Sequence, residues 1–145
     1  AKVGYTEHLY TYEDRGGSEV AARELGVAEH ATIKTLIMED ENKSPLMVLM
    51  HGDLEVSTKE LARIVGVKTI KPCEPVTANK LSGYQVGGTS PFGVQHKMPV
   101  YMEATILELP KVYINGGKRG FIVGMDPQDL VKLLEPKLVN VGIRS

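Results

Sequence analysis

The strongest constraint on this chain lies in residues 83–93, GYQVGGTSPFG, which hold four glycines, one proline and two small hydroxyl residues in eleven positions. A loop that only changed direction would need one or two glycines. Gly87 and Gly88 leave backbone N–H groups unshielded because no Cβ covers them, and Pro91 fixes one φ angle at the exit. This glycine segment can present N–H donors to an anion or a developing oxyanion, or it can be an elaborate turn. Both interpretations stay open at this point.

The length of 145 residues predicts one domain, residues 1–145, that buries roughly 70% of its unfolded surface. No run of about 18 apolar residues is present, so we expect no membrane partner. No basic-then-apolar N-terminal segment is visible, so we expect no secretory signal. The single cysteine, Cys73, excludes an internal disulfide framework. These features predict a cytoplasmic protein.

Charge is divided unevenly along the chain. Residues 1–60 hold 6 Lys/Arg against 12 Asp/Glu, whereas residues 61–145 hold 11 against 6. The overall net charge of −1 argues against indiscriminate coating of nucleic acid. The basic half carries the glycine segment, and a local positive field there would suit a small phosphate-bearing ligand or one end of a nucleic acid. Chance segregation of solvated charges is the alternative.

Many short strands with few helices between them predict an α+β fold, in which one curved, mixed, largely antiparallel, barrel-like sheet is flanked by short helices. The strands at 31–38 and 46–50 should pair antiparallel because their connection is too short for a crossover helix. Ser57-Thr-Lys-Glu60 is a predicted capping box with Ser57 as the helix N-cap, and Asp126 is a second predicted N-cap. The remaining strands are predicted at 8–12, 67–71, 100–102, 112–115 and 121–125, with an edge strand in 138–143. Helices are predicted at 18–25, 57–65 and 76–81, and after Asp126-Pro127.

Lys34 is the first candidate for chemistry. It lies in Ala-Thr-Ile-Lys-Thr-Leu-Ile, where alternation places Thr32, Lys34 and Leu36 on one face of a half-buried strand. A lysine in such a strand is either a gatekeeper on a sheet edge, which the pattern slightly favours, or a cation aimed into a pocket. A partly buried ammonium must find an anion or lose its charge.

The other candidates carry weaker signals. The predicted hairpin loop 115–120 presents Lys118 and Arg119 beside two glycines, either as a plain turn or as a phosphate clamp. The four histidines lack metal-ligand spacing, so we expect no metal site. Of these, His51 alone is considered as a general base. Cys73 is expected to be structural, and Thr89 and Ser90 have no evident base partner. The sequence thus offers oxyanion-type donors and cations but no convincing nucleophile, which points to binding alone or to attack by a water or the substrate.

Four blocks in this order resemble the YbaK branch of the prolyl-tRNA synthetase-associated editing domains. They are Ile33-Lys-Thr-Leu36, Gly83-Tyr-x-Val-Gly-Gly-x-Ser-Pro-x-Gly93, Ile114-Asn-Gly-Gly-Lys-Arg-Gly120 and Asp126-Pro-Gln-Asp-Leu130. The resemblance runs from about Leu9 to Leu134. Members of this family usually begin with an additional N-terminal helix, of which Ala1–Gly4 would be only the stub.

The resemblance implies trans-editing, the deacylation of mischarged tRNA, typically Cys-tRNA(Pro), by a free-standing domain. It implies that Lys34 is the essential lysine and that the loop from Gly87 to Pro91 lines the aminoacyl pocket. We expect N–H groups of Gly87 and Gly88 to stabilise the oxyanion, while the thiol of the substrate cysteine attacks its own ester. The predicted substrate-binding residues are Tyr12, Thr89, Ser90, Pro91, Lys118, Arg119 and Asp129, and helix capping is the alternative role of Asp129.

Three alternatives remain from the sequence. The first is a related specificity, such as Ala-tRNA(Pro), with water as the nucleophile. The second is a non-catalytic module that binds an aminoacyl end or a nucleotide. The third is a binder of small phosphate compounds. The expected partners are a mischarged tRNA and, in addition, prolyl-tRNA synthetase; no cofactor is expected.

Overall fold

The computed structural model describes residues 4–11, 17–85 and 88–144. The predicted site residues Tyr12 and Gly87 lie outside these ranges and therefore remain predictions. The helices are α1 (Gly17–Leu25), α2 (Thr58–Val65), α3 (Pro75–Ser82) and α4 (Pro127–Leu134), with short 3₁₀ turns at Glu29–Ala31 and Ala104–Glu108. The strands are β1 (Tyr5–Leu9), β2 (Thr32–Asp40), β3 (Pro45–His51), β4 (Glu55–Val56), β5 (Ile70–Pro72), β6 (Val100–Glu103), β7 (Val112–Asn115), β8 (Phe121–Met125), β9 (Lys137–Val139) and β10 (Gly142–Ile143).

Within the described ranges, eight strands form one mixed sheet in the order β1-β8-β7-β2-β3-β6-β9, and β5 pairs with β2 outside this path. The pairs β2/β7, β3/β6 and β6/β9 are parallel, and the others in this sheet are antiparallel. Strands β4 and β10 form a separate antiparallel ladder. The predicted α+β class and largely antiparallel sheet are confirmed, and the path of paired strands does not close into a barrel.

The core lies on both faces of β2 and β3, because successive side chains of a strand point to opposite faces. Ile33 and Ile37 belong to one apolar cluster with Met47 and Leu49, and Met38 belongs to another, whose further members include Val48, Met50, Leu61 and Ala62. Helix α2 supplies Leu61 and Ala62 to the second cluster, whereas α3 supplies Ala78 to the first. Each fully buried side chain of this size contributes about 1.5–3 kcal/mol.

Local signals set the helix ends. Ser57 is the N-cap of α2, and its Oγ accepts a hydrogen bond from the N–H of Glu60 at 3.3 Å. The carboxylate of Glu60 pairs with Arg63 instead of returning to the cap, so only half of the capping box forms. At α4, the Asp126 side chain accepts from the N–H of Gln128 at 2.9 Å. Both predicted N-caps are confirmed.

Three strand predictions need correction. Strand β1 begins and ends three residues before the predicted 8–12. The strand predicted at 67–71 begins at Ile70, because the carboxylate of Glu41 holds the N–H groups of Lys68 and Thr69. The tail forms two short strands rather than one. At the start of the second strand, buried Glu103 Oε1 accepts hydrogen bonds from Val141 N at 2.7 Å and Gly142 N at 3.0 Å. These bonds draw the chain away from the pairing of β9 with β6.

The longest helix in the described ranges, α1, has nine residues. None of the helices in the part of the chain that the structure describes combines the length and apolarity needed to cross a bilayer.

Candidate active site

The glycine segment forms a loop with a closed neck. His96 N donates to Leu81 O at 2.9 Å and Gln95 N donates to Ser82 O at 3.2 Å, so the chain leaves α3 and returns beside it. Phe92 and Val94 pack against the cluster that contains Ile33. The described residues on either side of positions 86 and 87 are therefore anchored by backbone hydrogen bonds and by apolar packing, as in a compact loop.

The hydroxyls of this loop serve the loop itself. Ser90 is 1% exposed, and its Oγ accepts a hydrogen bond from Phe92 N at 3.2 Å. Thr89 Oγ1 donates to Gln85 O at 3.3 Å. Pro91 follows as a buried residue. The backbone N–H groups of Thr89 and Ser90, in contrast, make no hydrogen bond within the described ranges. Ser90 is buried and Thr89 partly buried; because backbone N–H groups in such places usually have a partner, these two groups are candidates for binding a ligand.

Gly88 has a structural role in addition to the one predicted. Its N–H donates to Gln85 O at 2.8 Å, and its predicted contribution to an oxyanion site stays a prediction. What the position requires is close approach: a Cβ at Gly88 would lie 2.7 Å from Arg119 N and 2.9 Å from Lys118 C. Such distances are too short for any side chain, so glycine permits the glycine segment to pack directly on the backbone of loop 115–120.

Loop 115–120 connects β7 and β8 as the predicted hairpin. Asn115 shapes it from within: Oδ1 accepts from Gly117 N at 2.7 Å, and Nδ2 donates to Lys118 O at 3.1 Å. Lys118 Nζ lies 5.5 Å from the centre of the Phe121 ring. The two predicted cations therefore stand on a preformed turn that touches the glycine segment.

Lys34 lies on an interior strand, because β7 and β5 pair with one edge of β2 and β3 pairs with the other. Strand β2 is therefore not an edge strand of the sheet, although the ladders on its β7 side include only residues 32–33 and 38–40 within the described ranges. The β7 pairing ends at Ile33 opposite Ile114, so Lys34 is the first residue of β2 beyond it, at the level where loop 115–120 begins. Lys34 is half-buried, and its ammonium forms no hydrogen bond or ion pair in the described part of the chain.

The side chain of Lys34 shares a face of β2 with Leu36, while Ile33, Thr35 and Ile37 point to the other face. The apolar residues that anchor the glycine segment pack on the Ile33 face. Loop 115–120 begins at the end of β7, beside β2 and level with Lys34. On the Ile33 face, the buried Oγ1 of Thr35 has no hydrogen-bond partner among the described residues, a feature that sequence reasoning missed.

Asp129 lies in the first turn of α4, where its side chain is 16% exposed and its Oδ1 lies 3.9 Å from Lys132 Nζ. Asp126, not Asp129, is the N-cap of this helix. No hydrogen bond or ion pair joins Asp129 to the glycine segment over residues 83–85 and 88–93. The proposed contact of Asp129 with substrate therefore stays a prediction.

Cys73 is a poor nucleophile in this environment. Burial raises the pKa of its thiol to about 11, and a hydrogen bond with Glu39 contributes to the increase. The thiolate is the reactive form of cysteine, so little of it exists near neutral pH. The structure agrees with the structural role expected from the sequence.

His51 is buried at the end of β3, in a network that does not include the glycine segment. Its Nδ1 donates to His30 O at 2.7 Å, and its Nε2 lies 2.8 Å from Thr105 Oγ1, which is 3.0 Å from Glu103 Oε2. The single hydroxyl proton of Thr105 can serve only one of these neighbours at a time. Because both ring nitrogens of His51 are engaged, the structure does not support its consideration as a general base.

His30, His51 and Asp53 could together offer three metal-ligand atoms. The two imidazole rings are stacked, with centroids 3.6 Å apart and planes that differ by 6°. An ion bound by both rings would need to lie in both ring planes, which parallel rings cannot provide. In addition, His30 Nδ1 pairs with Asp53 Oδ1 at 2.9 Å. This arrangement is better suited to fixing the end of β3 than to holding a metal.

Comparison with known proteins identifies relatives along nearly the whole chain. EbsC of Enterococcus faecalis, to which a Cys-tRNA(Pro)/Cys-tRNA(Cys) deacylase activity is ascribed, is 26% identical over 145 residues, 99% of this chain and 88% of EbsC. The proline–tRNA ligase of Thermodesulfovibrio yellowstonii is 33% identical over 113 residues, which cover 78% of this chain but only 19% of the ligase. A domain similar to this one thus occurs inside a much longer synthetase.

A solved structure described as that of a trans-editing enzyme for prolyl-tRNA synthetase superposes with a TM-score of 0.85 at 20% identity, covering 97% of this chain and 87% of the other. This likeness confirms the fold. The model of the aminoacyl-tRNA editing domain matches residues 13–133, which confirms the resemblance carried by the four sequence blocks. The chain therefore belongs to the family of aminoacyl-tRNA editing domains.

Proposed function

We propose that this protein is a trans-editing deacylase that clears Cys-tRNA(Pro) through attack by the substrate's own thiol. The observation that carries the proposal is the close approach of Gly88 to the backbone of Lys118 and Arg119. Those two residues belong to the loop that begins where the pairing of β7 with β2 ends, level with Lys34. The proposal is that the backbone donors of the glycine segment and the cations of loop 115–120 and of Lys34 act on one bound substrate. The proposed functional unit is residues 1–145, and its proposed location is the cytoplasm, where translation occurs.

Lys34 supplies fixed positive charge. Its half-buried ammonium has no acidic partner among the described residues, and an ammonium in such a place is stabilised by an incoming anion. In the proposed complex that anion is a phosphate of the terminal nucleotide or the thiolate of the substrate. Lys118 and Arg119 add a positive field from the loop that begins level with Lys34.

The glycine segment supplies the oxyanion donors. With Gly88 N committed to Gln85 O, the proposed donors are the N–H groups of Thr89 and Gly87, supported by that of Ser90. The Thr89 and Ser90 groups lack protein partners in the described ranges. One well-placed oxyanion donor lowers a barrier by about 3 kcal/mol, roughly a hundredfold or more in rate.

The substrate supplies the nucleophile. Its sulfur attacks the carbonyl carbon of its own ester, a C–S bond forms, and the ester C–O bond breaks. The ribose oxygen leaves and takes up the proton that the thiol lost, so the products are a cyclic thioester and tRNA with a free hydroxyl. No protein nucleophile is required, which agrees with the high pKa of the Cys73 thiol. The protein accelerates this step by holding the ester in an attack geometry.

The test is a deacylation panel with Cys-, Ser- and Ala-tRNA(Pro), together with Cys-tRNA(Cys), the second substrate ascribed to EbsC. We expect rapid loss of Cys from tRNA(Pro) and a much slower loss of Ser, because a hydroxyl is far less ionised than a thiol near neutral pH. Equal rates for Cys and Ser would indicate attack by water. Preference for Ala would assign the alternative specificity, and binding without deacylation would identify a non-catalytic module.

A second arm of the panel adds prolyl-tRNA synthetase. The modest basic surface of this chain offers limited electrostatic attraction to a large polyanion, and a similar domain occurs within proline–tRNA ligases. We therefore expect added synthetase to lower the concentration of editing protein needed for half-maximal rate. Competition by free phosphate compounds without any effect of tRNA would point to the phosphate-binder alternative.

A further inference from the structure

Tyr84 lies two residues after the end of α3, at the start of the glycine segment, and its side chain reaches the backbone of residue 92. It follows Gly83, whose φ of +83° turns the chain out of the helix. The half-buried Tyr84 donates its phenol O–H to Phe92 O, eight residues further along. This hydrogen bond is a further link between the two sides of the loop, in addition to the backbone bonds of His96 to Leu81 and of Gln95 to Ser82.

The ring of Tyr84 contacts the other loop. A Cβ built on Gly117 would lie 3.1 Å from Tyr84 Cε1, 3.7 Å from Cδ1 and 3.8 Å from Cζ. Gly117 has a φ of +119°, so the backbone there is shaped around the ring in a conformation that favours glycine. One side chain thus contacts Phe92 on the glycine segment and Gly117 on the cation-bearing loop.

We propose that Tyr84 is a positioning residue for the deacylation reaction: it sets the separation between the oxyanion donors of Thr89 and Ser90 and the cations of loop 115–120. This inference rests on the proposed function. Tyr84 acts through the two loops and not on the substrate. Rates of oriented reactions depend steeply on placement, and a displacement of about 1 Å can cost roughly a hundredfold. Loss of the O–H tie affects the reaction geometry more than the affinity for tRNA, because the cations remain in place.

The decisive variant is Tyr84→Phe, which keeps the ring against Gly117 and removes the O–H group. We expect kcat for Cys-tRNA(Pro) to fall about tenfold, with KM unchanged, and the loss of one hydrogen bond to lower the thermal midpoint by no more than about 5 °C. The matched control is Tyr5→Phe, at a residue that is 57% exposed on β1, for which kcat should not change. A rise in KM with unchanged kcat, or equal losses in both variants, would overturn the proposal.

Hydrogen exchange provides a readout that does not depend on activity. Tyr84→Phe should increase backbone exchange in both residues 85–92 and residues 115–120, whereas Tyr5→Phe should leave both segments at wild-type rates. Unchanged exchange in either segment would overturn the coupling. If the wild-type protein deacylates no tRNA in the panel, the proposed function fails, and the exchange measurement still decides whether Tyr84 ties the two loops.

Discussion

Gly88 and Arg119 are in backbone contact: a Cβ on Gly88 would lie 2.7 Å from the nitrogen of Arg119. Neither residue can move away without displacing its loop, since Gly88 N is bound to Gln85 O and loop 115–120 is closed by the hydrogen bonds of Asn115. The contact fixes how the candidate oxyanion donors stand relative to the cations.

Gly88→Ala should therefore reduce deacylation of Cys-tRNA(Pro) strongly. The new methyl group must push the two loops apart, and we expect a loss of about a hundredfold or more in kcat/KM with about 1–3 kcal/mol of destabilisation. Steady-state deacylation and thermal unfolding measure the two effects. Gly4→Ala is the control, because its Cβ would meet no atom within 4 Å. Wild-type kinetics in Gly88→Ala would contradict the role given to this contact.

Lys34→Ala should abolish deacylation while the fold survives. Because the half-buried ammonium has no partner in the part of the chain described, its removal leaves no orphaned carboxylate. The free energy of unfolding should therefore stay constant or increase. Single-turnover deacylation and denaturant unfolding are the measurements. Lys137→Ala, on the edge strand β9 three strands away from β2, removes the same charge and should retain wild-type activity. An active Lys34→Ala protein would remove Lys34 from the mechanism.

Cys73→Ala should leave deacylation nearly unchanged. With a thiol pKa of about 11, roughly one molecule in a thousand carries the thiolate at pH 8, so the native protein should also react slowly with iodoacetamide. The rate of alkylation in native and denatured protein, measured by mass spectrometry, tests the second statement. An inactive Cys73→Ala variant with an intact fold would restore Cys73 as the nucleophile.

His51 should make stability depend on pH. Burial lowers the pKa of the folded His51, with a further contribution from neighbouring His30, against the opposing effects of the hydrogen bond to His30 O and the charges of Asp53 and Glu103. The unfolded state has a histidine pKa of about 6.5 and binds the proton first as pH falls. The stabilisation is thus complete above about pH 6.5 and is lost progressively towards the lower pKa of the folded state.

Thermal unfolding between pH 7.5 and 5.5 measures this dependence, and His51→Gln should flatten it. His96→Gln, at an exposed histidine, is the control and should leave the slope as in wild type. In native protein, the NMR titration of the His51 ring should show a neutral imidazole below pH 6.5. A His51 that is already protonated at pH 7 would reverse the sign of the prediction.

Elements with local signals were predictable from the sequence. Ser57 and Asp126 cap their helices as expected, and Gly66 ends α2 with a φ of +88°, because caps depend on residues only a few positions apart. The hairpin at 115–120 was likewise predictable from its glycines and its flanking apolar residues.

Features that depend on distant pairing were not predictable. The location of Lys34 on an interior strand follows from the insertion of β7 and β5 beside β2, and the sequence around Lys34 carries no sign of that order. The hydrogen bond from Gly88 N to Gln85 O and that from Tyr84 to Phe92 O depend on the conformation of an irregular loop. Composition indicated that this loop mattered, but not which of its N–H groups remain available.

The three atoms that a Cβ on Gly88 would approach most closely are backbone atoms: Arg119 N, Lys118 C and Lys118 Cα. The close approach of the two loops at Gly88 is therefore set by the path of the chain at 118 and 119. A substitution at position 118 changes the charge presented to a ligand, whereas any side chain at position 88 displaces the two loops. The charge at position 118 can therefore vary more freely in evolution than position 88, whose glycine sets how closely the two loops dock.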